Sequence, residues 1–315
     1  MKFFHSVTSG WVTGGVFVVG ISCWYLLRKR EQKFALASIL VGGLVGLLGT
    51  GAVMLSGDSS GIHAAKYQPM KLAAAEGLEN GGPRAAFSIV PGIEIPGMLS
   101  ILATHDIDGV VPGINDIIEG YTDNEGNEIP SVAQKMEMGK TALAALAQYR
   151  ETKDTDPQAA AQALAVLEEN MQYMGYGYLE KPENVIPPVG LVYWAFRAMV
   201  GLGSFLALVM LLAVWYAYKE KLPKMEWLLW TALLSIPLVY LCGQAGWIVA
   251  EVGRQPWTIQ GLLPVGVAIS DVSVAAVKTT FFVFVAVFAL FLAIEIRIMV
   301  GAIKKGPEID EIKNV

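Results

Sequence analysis

Residues Trp227–Ala250 read WLLWTALLSIPLVYLCGQAGWIVA, a run with no Asp, Glu, Lys, Arg or His. A hydrocarbon core of about 30 Å takes about 20 helical residues to cross, so this run spans a bilayer. It ends abruptly in Glu251-Val-Gly-Arg-Gln-Pro-Trp257. A carboxylate closing a span is costly unless it has a partner, and so marks a candidate functional group. Gly253 and Pro256 stop the helix, which presents Arg254 from a tight turn.

Four further runs have the same character: Ser6–Leu27, Phe34–Leu55, Val189–Tyr218 and Thr279–Val300. The composition agrees, since 16% of the 315 residues are charged and 54% are hydrophobic, where a soluble domain averages about 25% charged. The first run has neither the basic start nor the small-residue cleavage site of a signal peptide, and reads as a span. The expected fold is an all-α integral membrane protein with about five transmembrane helices. Two lie in residues 1–55 and three in 189–303, with a long loop at 56–188 and a tail at 304–315. Lys and Arg set the orientation. Arg28, Lys29, Arg30 and Lys33 join the first two spans, Lys219, Lys221 and Lys224 the next two, and Lys304 and Lys305 follow the last. These fall on one side, expected to be cytoplasmic. The amino terminus, the long loop and the Glu251 turn fall on the other. The loop carries 8 Lys/Arg against 19 Asp/Glu, as suits an outer face.

Composition also excludes chemistry. Cys23 and Cys242 both lie inside apolar runs and suit buried small hydrophobes. No Cys-x-x-Cys-His occurs, and three histidines (His5, His63, His105) do not suggest a polyhistidine metal site. A net charge of −5 argues against nucleic acid as a partner. In the loop, Asp123-Asn-Glu-Gly-Asn127 lacks EF-hand spacing and reads as a solvated turn. Helical spacing predicts a helix over Ser131–Glu151. Asp156-Pro157 predicts another, running to about Met174 and ended by Gly175-Tyr-Gly177. Gly10 with Gly14, and Gly42 with Gly46, are small-xxx-small pairs that allow close helix packing. A structured loop of this length exceeds an ordinary connection.

Several side chains gather at the loop end of the bundle. His5 starts the first span, and Met199 lies about 16 Å into the third. Arg197 is two residues earlier, and Glu251 closes the fourth span. His with Met is an axial pair for a low-spin haem, and Arg197 suits a carboxylate such as a propionate. On residue type alone, Met199 is equally core filler, Glu251 an interfacial carboxylate and Trp247 part of an aromatic belt. Arg197 is harder to set aside, because a mid-span Arg needs a partner. In the loop, Lys71 and Glu76 could bind and deprotonate a quinol hydroxyl, or belong to a solvated amphipathic helix.

Together these segments resemble subunit I of cytochrome bd quinol oxidase. Glu251-Val-Gly-Arg-Gln-Pro-Trp257 resembles that family's GRQPW signature. Phe196-Arg-Ala-Met-Val200 resembles its Met-ligand segment, and Phe4-His-Ser-Val-Thr-Ser-Gly10 its His-ligand segment. Lys71-Leu-Ala-Ala-Ala-Glu76 resembles the start of its quinol-binding Q-loop. The resemblance covers the chain in order, including Met174-Gly-Tyr-Gly177. It implies His5 and Met199 as axial ligands of haem b558 and Glu251 as a ligand of haem b595. Arg197, Trp247 and Arg254 would support the haems, and Lys71 and Glu76 would serve quinol oxidation. A third haem, haem d or a second haem b, would complete the oxygen site. The implied partners are subunit II, small accessory subunits, quinol, oxygen and the lipid bilayer, in a bacterial cytoplasmic (inner) membrane. The implied reaction oxidises quinol and reduces oxygen to water, separating charge across the membrane without a proton pump. A full subunit of that family has about four more spans ahead of the His segment. The chain is therefore expected to be an amino-terminally truncated form, inactive alone and needing a missing amino-terminal half. Rival readings are a transporter or receptor-like protein with Arg197 and Glu251 on a substrate path, and a non-catalytic remnant.

Overall fold

The computed structural model describes residues 2–307; most of the expected tail, 308–315, lies outside the described residues. Five helices are long and apolar enough to cross a membrane. They are α1 (Lys2–Leu27) and α2 (Gln32–Tyr67), then, after the loop, α8 (Val189–Tyr218), α9 (Glu226–Glu251) and α10 (Val274–Lys305). The loop between α2 and α8 holds α3 (Pro69–Glu76), α4 (Met98–Thr104), α5 (Ile114–Glu119), α6 (Val132–Thr152) and α7 (Pro157–Asn170). It also holds two small antiparallel hairpins, β1 (Phe87–Val90) with β2 (Ile93–Ile95) and β3 (Tyr121–Thr122) with β4 (Glu128–Ile129). A third, β5 (Trp257–Ile259) with β6 (Leu263–Pro264), follows α9. The expected loop had only helices; its short strands fell below what alternation can reveal.

The basic ends of the helices come together. One buried cluster joins Leu26 of α1, Ala35 of α2, Ala217 of α8 and Leu228 of α9, with Leu222 from the Lys219–Lys224 connection. Cys23 is fully buried within it, as a small hydrophobe. At the same end the Tyr25 hydroxyl donates to the Ile303 carbonyl at 2.7 Å, and Arg30 Nη1 donates to the Lys304 carbonyl at 3.3 Å. All three basic segments thus share one end of the bundle. Of α10 no residue is buried, so these bonds hold it by its last turn while its Phe-rich length stands clear of the other spans.

Helices α1 and α2 pack on glycine. A Cβ added at Gly15 would lie 2.6 Å from Gly46 Cα and 2.8 Å from the Gly42 carbonyl oxygen. Gly42 and Gly46 serve as the sequence suggests. Gly10 and Gly14 do not, since an added Cβ there meets nothing within 4 Å; the contact face of α1 is set by Gly15, one position on.

Two helix ends around the loop differ from expectation. Helix α2 continues twelve residues beyond the predicted end at Leu55, to Tyr67. Polar residues there are compatible with helix, and the Ser56 and Ser60 hydroxyls bond back to carbonyls four residues earlier. The helix stops only before Pro69, which disfavours α geometry at Gln68. Ser131 caps α6, accepting from the Gln134 amide in a capping box, and Asp156 caps α7 as predicted. Helix α7 ends at Asn170, and a 3-10 segment, Met171–Tyr178, follows. Gly175 and Gly177 lie inside that segment rather than ending a helix. They allow close backbone approach, since a Cβ at Gly175 would meet the Gly261 oxygen at 2.5 Å and one at Gly177 the Gly139 carbonyl carbon at 2.5 Å.

Adding a methyl at the α1/α2 contact therefore forces the helices apart. Gly15→Ala should lower stability by about 1–3 kcal/mol, while Gly14→Ala stays within about 0.5 kcal/mol of the parent. Thermal unfolding of the detergent-solubilised protein measures both.

Candidate functional site

The site is built on α3. Pro69 occupies its first turn, and Gly77, at φ +65°, ends it in the left-handed region. Ala73, Ala74 and Ala75 are buried, which lets the short helix lie close against α8 and delivers Glu76 into the interior. There Arg197 Nη2 donates to Glu76 Oε2 at 2.8 Å, with side chains 7% and 2% exposed. Arg197 Nη1 donates to the Ala75 carbonyl at 3.0 Å. The guanidinium lies 4.3 Å from the Tyr193 ring centroid and 5.2 Å from that of Phe87. The Tyr193 hydroxyl in turn meets Ser88 Oγ at 3.0 Å. Burial pushes the Glu76 carboxyl above its usual range, against the opposing pull of Arg197 and the Ser88 amide.

Lys71, five residues earlier, leaves α3 toward a different helix. Its Nζ donates to the Ala250 carbonyl at the end of α9, at 3.4 Å. Its pKa is pushed down to about 8, first by burial and then by Lys2; Glu251 pulls it back up and Arg254 adds to the lowering. Gly253 makes room for the Lys71 stem, because a Cβ there would lie 3.1 Å from Lys71 Cγ. Lys71 and Glu76 share α3, but no contact joins their side chains among the described residues.

Glu251 is the last residue of α9. Its Oε2 accepts from Arg254 Nη2 at 2.6 Å, with the two side chains 50% and 35% exposed. The partner that the sequence demanded for this carboxylate is thus three residues away. Trp247, one turn earlier, is exposed. Trp257 is buried and lies 4.8 Å from Tyr176 in the 3-10 segment, which fastens the Glu251 turn to the loop.

His5 lies in the first turns of α1. Its Nδ1 is 2.9 Å from Ser56 Oγ, and the Ser56 hydroxyl donates to the Ala52 carbonyl at 2.8 Å. The contact holds Nδ1 at Ser56, with Nε2 as the ring nitrogen outside it. A ring nitrogen fixed in this way leaves the other as a ligand atom. Met199 lies on α8 against α9, its Sδ 3.2 Å from where a Gly246 Cβ would stand. Its carbonyl accepts from Cys242 Sγ at 3.3 Å.

The structure therefore joins Lys71, Glu76 and Arg197 to the ends of α8 and α9 that carry Met199, Glu251 and Arg254. His5 joins α1 to α2 through Ser56, outside that network of contacts. Sequence reasoning missed Ser56, Ser88, Tyr193 and Trp257 as supports. Ser56 had a signal, since it sits at the polar edge of an apolar run; the others are ordinary residue types brought in by folding. The Nε atoms of Arg197 and Arg254 are buried without a partner among the described residues. Because Glu76 and Arg197 are both withdrawn from water, Glu76→Gln or Arg197→Met alone should destabilise by about 3–5 kcal/mol. The double variant should recover part of that loss, as chemical denaturation of the four proteins would show.

Comparison with known proteins follows the same residues. The sequence profile for cytochrome bd terminal oxidase subunit I matches residues 1–307. The chain is 35% identical to the cytochrome bd-II ubiquinol oxidase subunit 1 of Escherichia coli (strain K12), over 98% of this chain and 62% of that protein. It is 30% identical to the cytochrome bd ubiquinol oxidase subunit 1 of Bacillus subtilis (strain 168), over 98% and 57%. The solved bd oxidase structure from Geobacillus thermodenitrificans matches with a TM-score of 0.64 at 22% identity, over 97% of this chain and 58% of that one, which speaks to the fold alone. The chain spans about 60% of the length of these curated relatives. The expected truncation draws no support from the profile, which matches this chain from its first residue. A transporter or receptor reading gains nothing from these relatives. On its sequence and its five apolar spans, the chain belongs to the cytochrome bd terminal oxidase subunit I family.

Proposed function

We propose that this chain supplies the quinol-oxidising side and part of the haem-binding side of a cytochrome bd-type quinol:oxygen oxidoreductase. One observation carries the reading. Arg197 grips Glu76, the proposed quinol carboxylate, and stands two residues from Met199, the proposed haem ligand, on the same helix. The two sites are then one electrostatic unit.

The residues present fit a haem. His5, with Nδ1 held at Ser56, offers Nε2, and Met199 offers a thioether packed against Gly246. Two buried guanidinium N–H groups, on Arg197 and Arg254, have no partner in the described residues and match the carboxylates of a propionate. His5 and Met199 would hold the low-spin haem b558. Glu251 would hold haem b595, with Arg254 orienting its carboxylate and Trp247 flanking the ring. A third haem, haem d or a second haem b, would complete the oxygen site. When bound, these haems accept electrons singly and deliver them to oxygen.

The chain's own residues handle the quinol. Lys71 donates to a quinol oxygen, and Glu76 accepts a hydroxyl proton. Burial raises the proton affinity of Glu76 toward working pH, which suits a general base. Arg197 keeps the carboxylate in place before the proton arrives and screens it from water. The clustering of basic residues at one end of the bundle favours a cytoplasmic carboxy terminus and an extracytoplasmic loop in a bacterial inner membrane. Quinol protons would then leave on the loop side. Subunit II and accessory subunits are the partners expected, and the bare length of α10 offers them a surface.

Two measurements test this reading in the assembled oxidase. Met199→Leu should remove the low-spin haem b signal from reduced-minus-oxidised spectra and leave high-spin signals; an unchanged spectrum would rule Met199 out as a ligand. With Lys71 pushed down to about 8, its ammonium form is lost as pH rises through that value. The kcat/KM for quinol should therefore fall across pH 8, and Lys71→Arg, which stays charged, should move that limb upward.

A further inference from the structure

The long loop is acidic, yet one part of it is apolar and uncovered. In the β1–β2 hairpin, Ile89, Val90, Ile93 and Ile95 are all exposed, as are Ile101 and Leu102 on the adjoining α4. A hairpin standing in water carries apolar residues on one face and polar residues on the other. Here Phe87 pairs with Ile95 and Val90 with Ile93 on one face, Ser88 pairs with Glu94 on the other, and Ile89 sits at a bulge. The apolar face, which should be covered, exposes Val90, Ile93 and Ile95. The inner side of α4 is used differently. Leu99 and Ala103 are buried in a cluster with Ala85 and Val111, packed by Ala65 of α2. The exposed residues are thus what remains after the loop has formed its own core.

The position of the hairpin identifies what covers it. Helix α8 has 30 residues, about 45 Å of helix against a hydrocarbon core of about 30 Å. Centred, it overhangs by about 7 Å at each end. Tyr193 lies four residues in from Val189, about 6 Å along the axis, at the boundary between hydrocarbon and headgroups. The base of the hairpin is fixed at that level, by Ser88 Oγ at 3.0 Å from the Tyr193 hydroxyl and by Phe87 over Arg197. Trp194, whose ring meets Tyr193 at 5.3 Å, is exposed toward the lipid-facing surface of α8, as is Leu191. Tyr193 itself is buried, and through it the hairpin is tied to the stretch of α8 that exposes Leu191 and Trp194.

We infer that the β1–β2 hairpin and the outer face of α4 dock on the bilayer itself, as a shallow membrane-inserted flap beside Glu76. Two strands leave unpaired N–H and C=O groups along both edges, and such edges cannot enter the hydrocarbon core. The flap therefore lies among headgroups and upper acyl carbons, where water still reaches backbone. Glu94 and the Arg84–Asp108 ion pair, 2.6 Å and largely exposed, supply a polar rim. The inference rests on α8 spanning the membrane and not on quinol being the substrate.

The test is a spin-label scan of the assembled oxidase in phosphatidylethanolamine and phosphatidylglycerol vesicles. Nitroxides are placed at Ile93→Cys and, independently, Ile95→Cys, with Glu125→Cys as the water-facing comparison and the parent, carrying Cys23 and Cys242, as background. Power saturation reads collisions with oxygen, which partitions into lipid, and with a water-soluble nickel chelate. The oxygen-to-nickel ratio should be severalfold higher at Ile93 and Ile95 than at Glu125. A ratio equal to that at Glu125 would place the hairpin in water, and low collision with both reagents would mean that protein covers it. Either result overturns the inference. The readout is lipid contact rather than turnover, so it stands apart from the fate of the oxidase reading.

Discussion

Two opposite charges withdrawn from water must satisfy each other, and Glu76 and Arg197 do so at 2.8 Å with almost no exposure. A buried pair of this kind adds little net stability, because desolvation offsets the attraction. Its effect is on geometry. Breaking it strands a charge, so α3 is held to α8 in one register. That register goes with Lys71 against the end of α9, Phe87 over Arg197 and Ser88 against Tyr193. The aromatic rings over the guanidinium complete the enclosure.

In the proposed function the same pair would link two kinds of chemistry: proton transfer at Glu76 would change the charge that faces Arg197, two residues before Met199 on α8. Lys71, pushed down to about 8, belongs to a second electrostatic group with Lys2, Glu251 and Arg254. In the proposed function, charge movement on the loop side would be spread over two clusters, around Arg197 and around Arg254, each with one buried Nε that has no partner among the described residues.

What the sequence made legible followed from long-range regularities. Spans need about 20 apolar residues, and basic residues collect at one end, so the five helices and their shared basic end could be read directly. The end of α2 could not, because hydropathy falls at Ser56 while the backbone has no reason to leave the helix before Pro69. Gly10 and Gly14 had the right spacing for packing, but spacing does not say which face meets a neighbour, and Gly15 does the packing. Arg197 announced its need for a partner. The identity of that partner lay 121 residues away, a pairing that only the fold supplies. Glu251 is the opposite case, where the partner was in the same motif. The His5–Ser56 bond also crosses between helices and was hidden for the same reason.

The central claim is that the quinol carboxylate and the haem-ligand segment form one electrostatic unit through Arg197. A redox titration of the low-spin haem in the Glu76→Gln oxidase tests it most directly. Removing the carboxylate leaves the Arg197 charge uncompensated two residues from Met199 along α8, which favours the more electron-rich reduced state of a haem held there, so the midpoint potential should rise. A potential equal to that of the parent would contradict the account.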